Sequence, residues 1–376
     1  MDTQRSTIIE PQNLRKSQTT GQTLQERIIY PDILRTIAAF AVIMTHFCAY
    51  GFCNYNVFSN DWQIVNAYEC LIRWAVPIFV MVSGIFFLDP ERELTISKLY
   101  RKNIIRLVVA ILFWGLLYQI ANVAKRIILE NALPNLAISD ALKEFVLGPT
   151  WYHLWFLYMI IGLYILTPLF RIFTKNAEDK HYRYLFVLFM FFGCTLPLLQ
   201  KLILCADKSL SFYFSLKTFL GYPCYFILGY FFFKHDVSKR QRAVVYTIAA
   251  ISAFLQFIGT SLISYKYELG NTIFYDNFSP NVFFQTIAVF LFVKEIGTKI
   301  KLSNMAVRLI GILGKYSFGI YLVHDFFNGI FYRIGFSTMD IPVIFSIPLR
   351  TILAFVLSSL IVCMLAKIPI IKKYCI

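Results

Sequence analysis

The stretch YPDILRTIAAFAVIMTHFCAY, residues 30–50, decides the fold class. It is apolar except at Asp32, Arg35, His46 and a few small polar positions, and it is long enough to cross a bilayer core of about 30 Å as a helix of roughly 20 residues. Ionisable side chains at bilayer depth cost roughly 2.5–3.5 kcal/mol each on insertion scales, so Arg35 and His46 read as a functional site. A helix advances about 1.5 Å and turns about 100° per residue, which sets residues 35 and 46 on one face, about 16 Å apart along the axis. One stripe of this helix therefore faces protein, ligand or water.

The rest of the chain repeats the pattern. Hydrophobic residues make up 58% of the 376 and charged residues only 15%, so the core of this protein is spread through lipid. The predicted class is an all-α membrane protein with about ten transmembrane helices, near 31–51, 64–88, 104–124, 152–173, 183–203, 216–233, 243–264, 281–297, 308–331 and 343–366. Residues 1–30 are polar, rich in Thr and Gln, and without the apolar core of a signal peptide. They read as a flexible cytoplasmic tail, and 31–376 as a single polytopic domain.

A net charge of +15 raises the question of nucleic acid, and its distribution answers it. One set of alternate connections carries Arg92, Lys98, Arg101 and Lys102, then Arg171, Lys175, Lys180 and Arg183, then Lys234, Lys239, Arg240 and Arg242, then Lys294, Lys299, Lys301 and Arg308. The opposite set is poorer, falling to Lys266 alone and Arg333 alone in its last two members. By the positive-inside bias the basic set is cytoplasmic, the partner is the lipid bilayer and no nucleic acid is expected. Both termini then fall on the cytoplasmic side, as an even number of spans requires.

With that orientation, Arg35 lies near the cytoplasmic surface and His46 in the outer third. Glu69, Arg73, His153 and His324 share the outer leaflet with His46. Each of these polar groups can also be read as a satisfied contact between helices, and Glu69 and Arg73, four apart, can neutralise each other. Glu69 is at the right depth to fix the tautomer of His46, whereas Asp32 lies about 21 Å down the axis. His153 and Arg73 are candidates to orient an acceptor. Trp151, Tyr152 and Trp155 form either a sugar-stacking entrance or an interfacial aromatic belt. At the cytoplasmic start of the third span, Arg101, Lys102 and Arg106 can bind phosphates or serve as ordinary basic anchors.

Cys48, Cys53 and Cys70 lie close enough in depth to pair, although nothing in the spacing of the eight cysteines requires it. Neither CxxC nor a His or carboxylate pair at ligand spacing is present, so no metal is expected. In the long outer connection 125–150, the segment SDALKEFVLG reads as an interfacial helix started by Ser139.

Five segments carry a family resemblance: DILRTIAAFAVIMTHF at 32–47, RWAVPIFVMVSGIFFL at 73–88, KLYRKNIIRLVVAILFWGLLY at 98–118, HLWFLYMIIGLYILTPLFR at 153–171 and GKYSFGIYLVH at 314–324. In this order the chain resembles the acyltransferase-3 family of integral-membrane acyltransferases, and within it the bacterial surface-polysaccharide O-acetyltransferase branch. The resemblance implies a ten-helix fold, an essential Arg and His on the first helix, matched by Arg35 and His46, and an Arg-x-x-Arg donor motif at the start of helix three. Arg106 matches its second Arg, whereas Asn103 stands at the first, leaving Arg101 or Lys102 to substitute.

The resemblance and the residues meet in one expected mechanism. Acetyl-CoA, or another acyl-CoA, binds as donor substrate from the cytoplasm at Arg101, Lys102 and Arg106, its pantetheine arm passing Arg35 to reach His46. A neutral His46 then acts as general base on a hydroxyl of a carbohydrate acceptor. Arg35 and Glu69 assist catalysis, and Arg73, His153 and Trp151 hold the acceptor. No bound cofactor is expected, the location is the bacterial inner membrane, and a homo-oligomer is compatible with the sequence. The competing readings are a transporter or flippase, for which Pro77, Pro223 and Gly229 would break helices along a pathway, and an acyltransferase acting on a lipid or small molecule.

Overall fold

A computed structural model describes residues 28–129, 133–147, 151–206, 220–334, 336 and 341–376. Most of the expected tail, residues 1–27, lies outside the described residues. Every regular element among the described residues is helical. Among the described residues nine helical segments are long and apolar enough to cross a membrane, so this is a multi-pass, all-α membrane protein. A shorter helix, Tyr222–Lys234, coincides with the expected sixth span, whose first residues, 216–219, are outside the described residues.

The elements that matter to the site are α1 (Tyr30–Asn54), α2 (Asn60–Ile72), α3 (Ala75–Phe87), α4 (Ile105–Leu129), α5 (Pro134–Leu147), α6 (Trp155–Asn176), α7 (Asp179–Leu188), α8 (Leu196–Ala206), α9 (Tyr222–Lys234), α10 (Lys239–Tyr267), α11 (Pro280–Lys299), α12 (Asn304–Arg333), α13 (Val343–Leu365) and α14 (Pro369–Tyr374). Helix α1 is central. It packs against α12, α3, α2, α13 and α11, which is why a polar stripe on it can be enclosed by protein on several sides.

The expected second span is two helices. Pro77 has no N–H to donate to the carbonyl four residues earlier, and its ring crowds that carbonyl, which belongs to Arg73. The helix accordingly breaks at Arg73 and Trp74, between α2 and α3. Ser59 starts α2 by accepting the Trp62 N–H at 3.1 Å. Pro348 poses the same problem inside α13, and there a neighbour resolves it: the Tyr68 hydroxyl donates to the Ile344 carbonyl, the one Pro348 cannot bond, at 2.7 Å.

Helices α3 and α9 approach each other closely. A Cβ placed on Gly84 would lie 1.9 Å from the Phe226 carbonyl oxygen, and one on Gly229 would lie 1.9 Å from that of Met81. Only glycine permits this backbone approach, as is common between membrane helices. Gly229 therefore packs a helix rather than breaking one.

One local expectation needs correction, and one possible pairing is not formed. The helix of the long connection after α4, α5, begins at Pro134, not at Ser139, since proline is pre-set for the first helical position and Ser139 falls in the helix interior. All eight cysteines, Cys48, Cys53 and Cys70 included, are free thiols.

Candidate active site

The unbroken course of α1 keeps Arg35 and His46 on one helix, eleven residues apart, as the periodicity requires. Their surroundings differ. The Arg35 guanidinium lies over the Phe86 ring of α3, 4.4 Å from its centroid, and within electrostatic reach of the Tyr164 hydroxyl on α6. Arg106 also lies within electrostatic reach of that hydroxyl. Tyr164 is itself stacked on Phe87 with centroids 4.1 Å apart.

Leading into α4, residues Leu99–Ile104 form a π-helical turn. Such turns store a wider spacing and recur at functional sites. Arg101 and Lys102 stand exposed on it, whereas Arg106, one turn later, is half-buried. Arg106 donates to the main-chain oxygen of Ile376 and lies 5.8 Å from the Phe318 ring centroid. Trp114 fastens the same segment through a 2.9 Å bond to the Cys375 carbonyl. Part of the Arg106 fork is thus occupied by a segment 270 residues away, which nothing in the local sequence signals.

At the other end of the stripe, three histidines from three helical elements meet. The His46 ring centroid lies 5.0 Å from that of His324 on α12 and 6.3 Å from that of His153, and the latter two are 5.3 Å apart. Tyr152 closes the group with its ring edge-on to His46 at 5.3 Å. His153 sits on a short 3₁₀ turn, Tyr152–Leu154, at the start of α6, and the Tyr321 hydroxyl bonds its carbonyl. His324 Nδ1 lies 2.5 Å from the Tyr321 carbonyl; a carbonyl can only accept, so Nδ1 carries the proton and Nε2 is left bare. That Nε2 and both ring nitrogens of His153 are buried without a hydrogen-bond partner. Buried polar atoms in native proteins are ordinarily satisfied, so three orphans in one cluster call for bound water or a ligand there.

The carboxylate behind this cluster is Asp325. It accepts from Trp151 Nε1 at 2.6 Å, from the Tyr152 hydroxyl and from Asn328 Nδ2 at 3.2 Å, and stands 3.9 Å from His153 Nδ1. It also lies within electrostatic reach of His46. Sequence reading missed Asp325, although it directly follows His324 and, as a carboxylate late in a span, obeys the same rule that singled out Glu69.

The buried carboxylate of Glu69 is ion-paired with Arg73, four residues on, the outcome the i to i+4 spacing allows, and Arg73 in turn covers the Tyr275 ring at 4.3 Å from its centroid. Trp151, with its indole turned to Asp325 and stacked on Tyr118 at 4.9 Å, is a wall of the histidine cluster; Trp155 is the tryptophan that lines the adjoining cavity.

That cavity has a volume of about 310 Å³ and is lined by His46, Arg73, His153, Trp155 and Tyr275, with Asp276 among the residues at its wall. It extends along α1 from His46 to Val42, one helical turn toward Arg35. A second, more open hollow of about 510 Å³ lies between α4 and α5 and is lined mostly by charged residues, with Arg126 bonded to Asp140 at 2.9 Å. It holds none of the expected site residues. Among the described residues no group of three or more His, Cys, Asp or Glu side chains has metal-binding geometry.

The family model of the acyltransferase domain, acyltransferase-3, matches residues 28–368. The chain belongs to that family. No curated protein and no solved structure matches it. Membership supports a role in acyl transfer for the chain.

Proposed function

We propose that this protein is a membrane-bound O-acetyltransferase of the bacterial inner membrane, taking an acetyl group from cytoplasmic acetyl-CoA and passing it to a hydroxyl of a surface glycan or its lipid-linked precursor. The observation that carries the reading is the continuity of α1: arginine at one end, histidine at the other, and a cavity opening beside the histidine. The spacing of about 16 Å suits an extended pantetheine arm between a nucleotide anchor and a reacting thioester.

In this reading Arg101 and Lys102 meet the phosphates of the donor, with Arg106 contributing as the Ile376 segment yields its place. Arg35 guides the arm. At the far end His46, in its neutral form, takes the proton of the acceptor hydroxyl as the oxygen attacks the thioester carbonyl. The tetrahedral intermediate collapses by breaking the carbon–sulfur bond, and the proton held by His46 passes to the departing CoA sulfur. Asp325, reaching His46 through the packed His153 and His324 rings, takes over the orienting role first considered for Glu69. His153 or Arg73 stabilises the oxyanion. The acetyl group thereby crosses the membrane while CoA stays on the cytoplasmic side.

Inside-out vesicles test this directly. Radiolabelled acetyl-CoA added outside such vesicles, where the cytoplasmic face is exposed, is expected to label a carbohydrate fraction. Right-side-out vesicles given the same donor should show no labelling. Equal labelling in both orientations, or none in either, would count against the assignment.

A further inference from the structure

Arg350, on α13, is a buried cation with no part in the proposed chemistry. We infer that Arg350 and the Tyr55 hydroxyl form a binding site for the phosphate headgroup of a membrane lipid, at the end of the bundle that carries His46.

Arg350 is 6% exposed, and its guanidinium stands over the ring of Phe47, 5.1 Å from the centroid, which sets it at the depth of His46. The groups within its electrostatic reach are Tyr55 and Cys48, so no carboxylate among the described residues balances its charge. Glu69, which also neighbours Cys48, is held by Arg73. The Nε of Arg350 reaches the Ser346 carbonyl only at 3.4 Å, a long hydrogen bond, and its Nη2 is buried without a partner. A second orphan lies nearby: the hydroxyl of Tyr55, the residue that ends α1, is likewise buried and unpartnered. A water at these groups would complete hydrogen bonds and leave the charge uncompensated. A phosphate does both, its oxygens accepting from the guanidinium fork and from the tyrosine hydroxyl.

The surroundings indicate that this phosphate arrives on a lipid. Arg350 sits at the edge of the buried face of α13, flanked by Leu349 and Leu353, which are exposed and offer an apolar bed to acyl chains. Above it the rings of Tyr50 and Tyr55 lie 6.3 Å apart and those of Tyr50 and Tyr332 5.7 Å apart, a tyrosine group of the kind that collects at headgroup level. Neither Arg350 nor Tyr55 lines the cavity beside His46, so the site is separate from it and does not depend on the acyltransferase reading.

Native mass spectrometry of the full chain released from detergent tests this. The probes are phosphatidylglycerol and diglucosyldiacylglycerol with the same acyl chains, lipids that differ in the phosphate. At equal lipid concentration the unaltered protein should hold one phosphatidylglycerol more than Arg350→Met, with no such difference for the neutral lipid. Tyr55→Phe should lower the occupancy of that additional lipid at least twofold. In lipid-free detergent Arg350→Met should unfold at or above the midpoint of the unaltered protein, because the substitution removes a buried charge that lacks its partner. A midpoint well below it would make Arg350 a structural cation and overturn the inference. So would equal phosphatidylglycerol counts in the unaltered protein and Arg350→Met, or the same loss for the neutral lipid. Inorganic phosphate that displaces the additional lipid at millimolar concentration would overturn it in favour of a free anion.

Discussion

Asp325 shows how one carboxylate can hold a site together. Its donors come from the turn before α6 and from α12, and they fix the histidines between them. Replacing it by Ala removes the acceptor of the part-buried Trp151 and Tyr152 donors, bonds worth about 0.5–1.5 kcal/mol each. Asp325→Ala is therefore expected to lower both the unfolding midpoint and the rate of acyl transfer, while Asp325→Asn, which still accepts one bond, should recover much of the stability and less of the rate. Thermal unfolding in detergent beside initial rates would show this, and an unchanged midpoint for the Ala variant would contradict the role. Glu69 has the opposite profile. Glu69→Gln strips Arg73 of its partner, and breaking a buried ion pair costs about 3–5 kcal/mol, so the expected loss is in stability first. Activity lost at full stability would restore Glu69 to the chemistry. At this scale Arg35 and His46 were legible because helical periodicity is local and an ionisable group in lipid is conspicuous. The partners of His46 were not, because which carboxylate faces it depends on how α1, α6 and α12 pack.

Helix existence and extent follow from runs of apolar residues, and here these placed nearly every span within a few residues of its observed bounds. Breaks follow from proline chemistry, yet Pro77 and Pro348 have different outcomes: the first parts α2 from α3, the second is accommodated inside α13 by Tyr68. That difference lies in Tyr68, 276 positions from the Ile344 carbonyl it bonds, and could not be read locally. The same holds for α3 and α9, where Gly84 and Gly229 set the interhelical approach. A methyl group at either position must push two backbones apart, and overpacking of this kind costs typically about 1–3 kcal/mol. Gly84→Ala and Gly229→Ala are each expected to lower the unfolding midpoint, and together to fall short of the sum, since both changes open one interface. Strict additivity in the double variant would show that the two glycines do not share it.

For the whole molecule, charge asymmetry between alternate connections fixes the expected orientation, with the Arg101 and Lys102 turn inside and the histidine cluster outward. Cys53, exposed at the end of α1 that carries His46, provides a probe. A membrane-impermeant maleimide is expected to label it in intact cells, and Cys53→Ser to abolish that label; a cysteine placed at Lys239 should react only after permeabilisation. Labelling of Cys53 only after permeabilisation would invert the topology and with it the direction of acyl transfer.

Most direct of all is the rate of acetyl transfer from acetyl-CoA by His46→Ala and His46→Gln, each verified as folded, against the unaltered protein. Loss of a positioned base should lower transfer by roughly 10²–10⁴-fold in both while donor binding, measured separately, stays within a few-fold. Transfer persisting at the unaltered rate in either folded variant would contradict the assignment of His46 as the base.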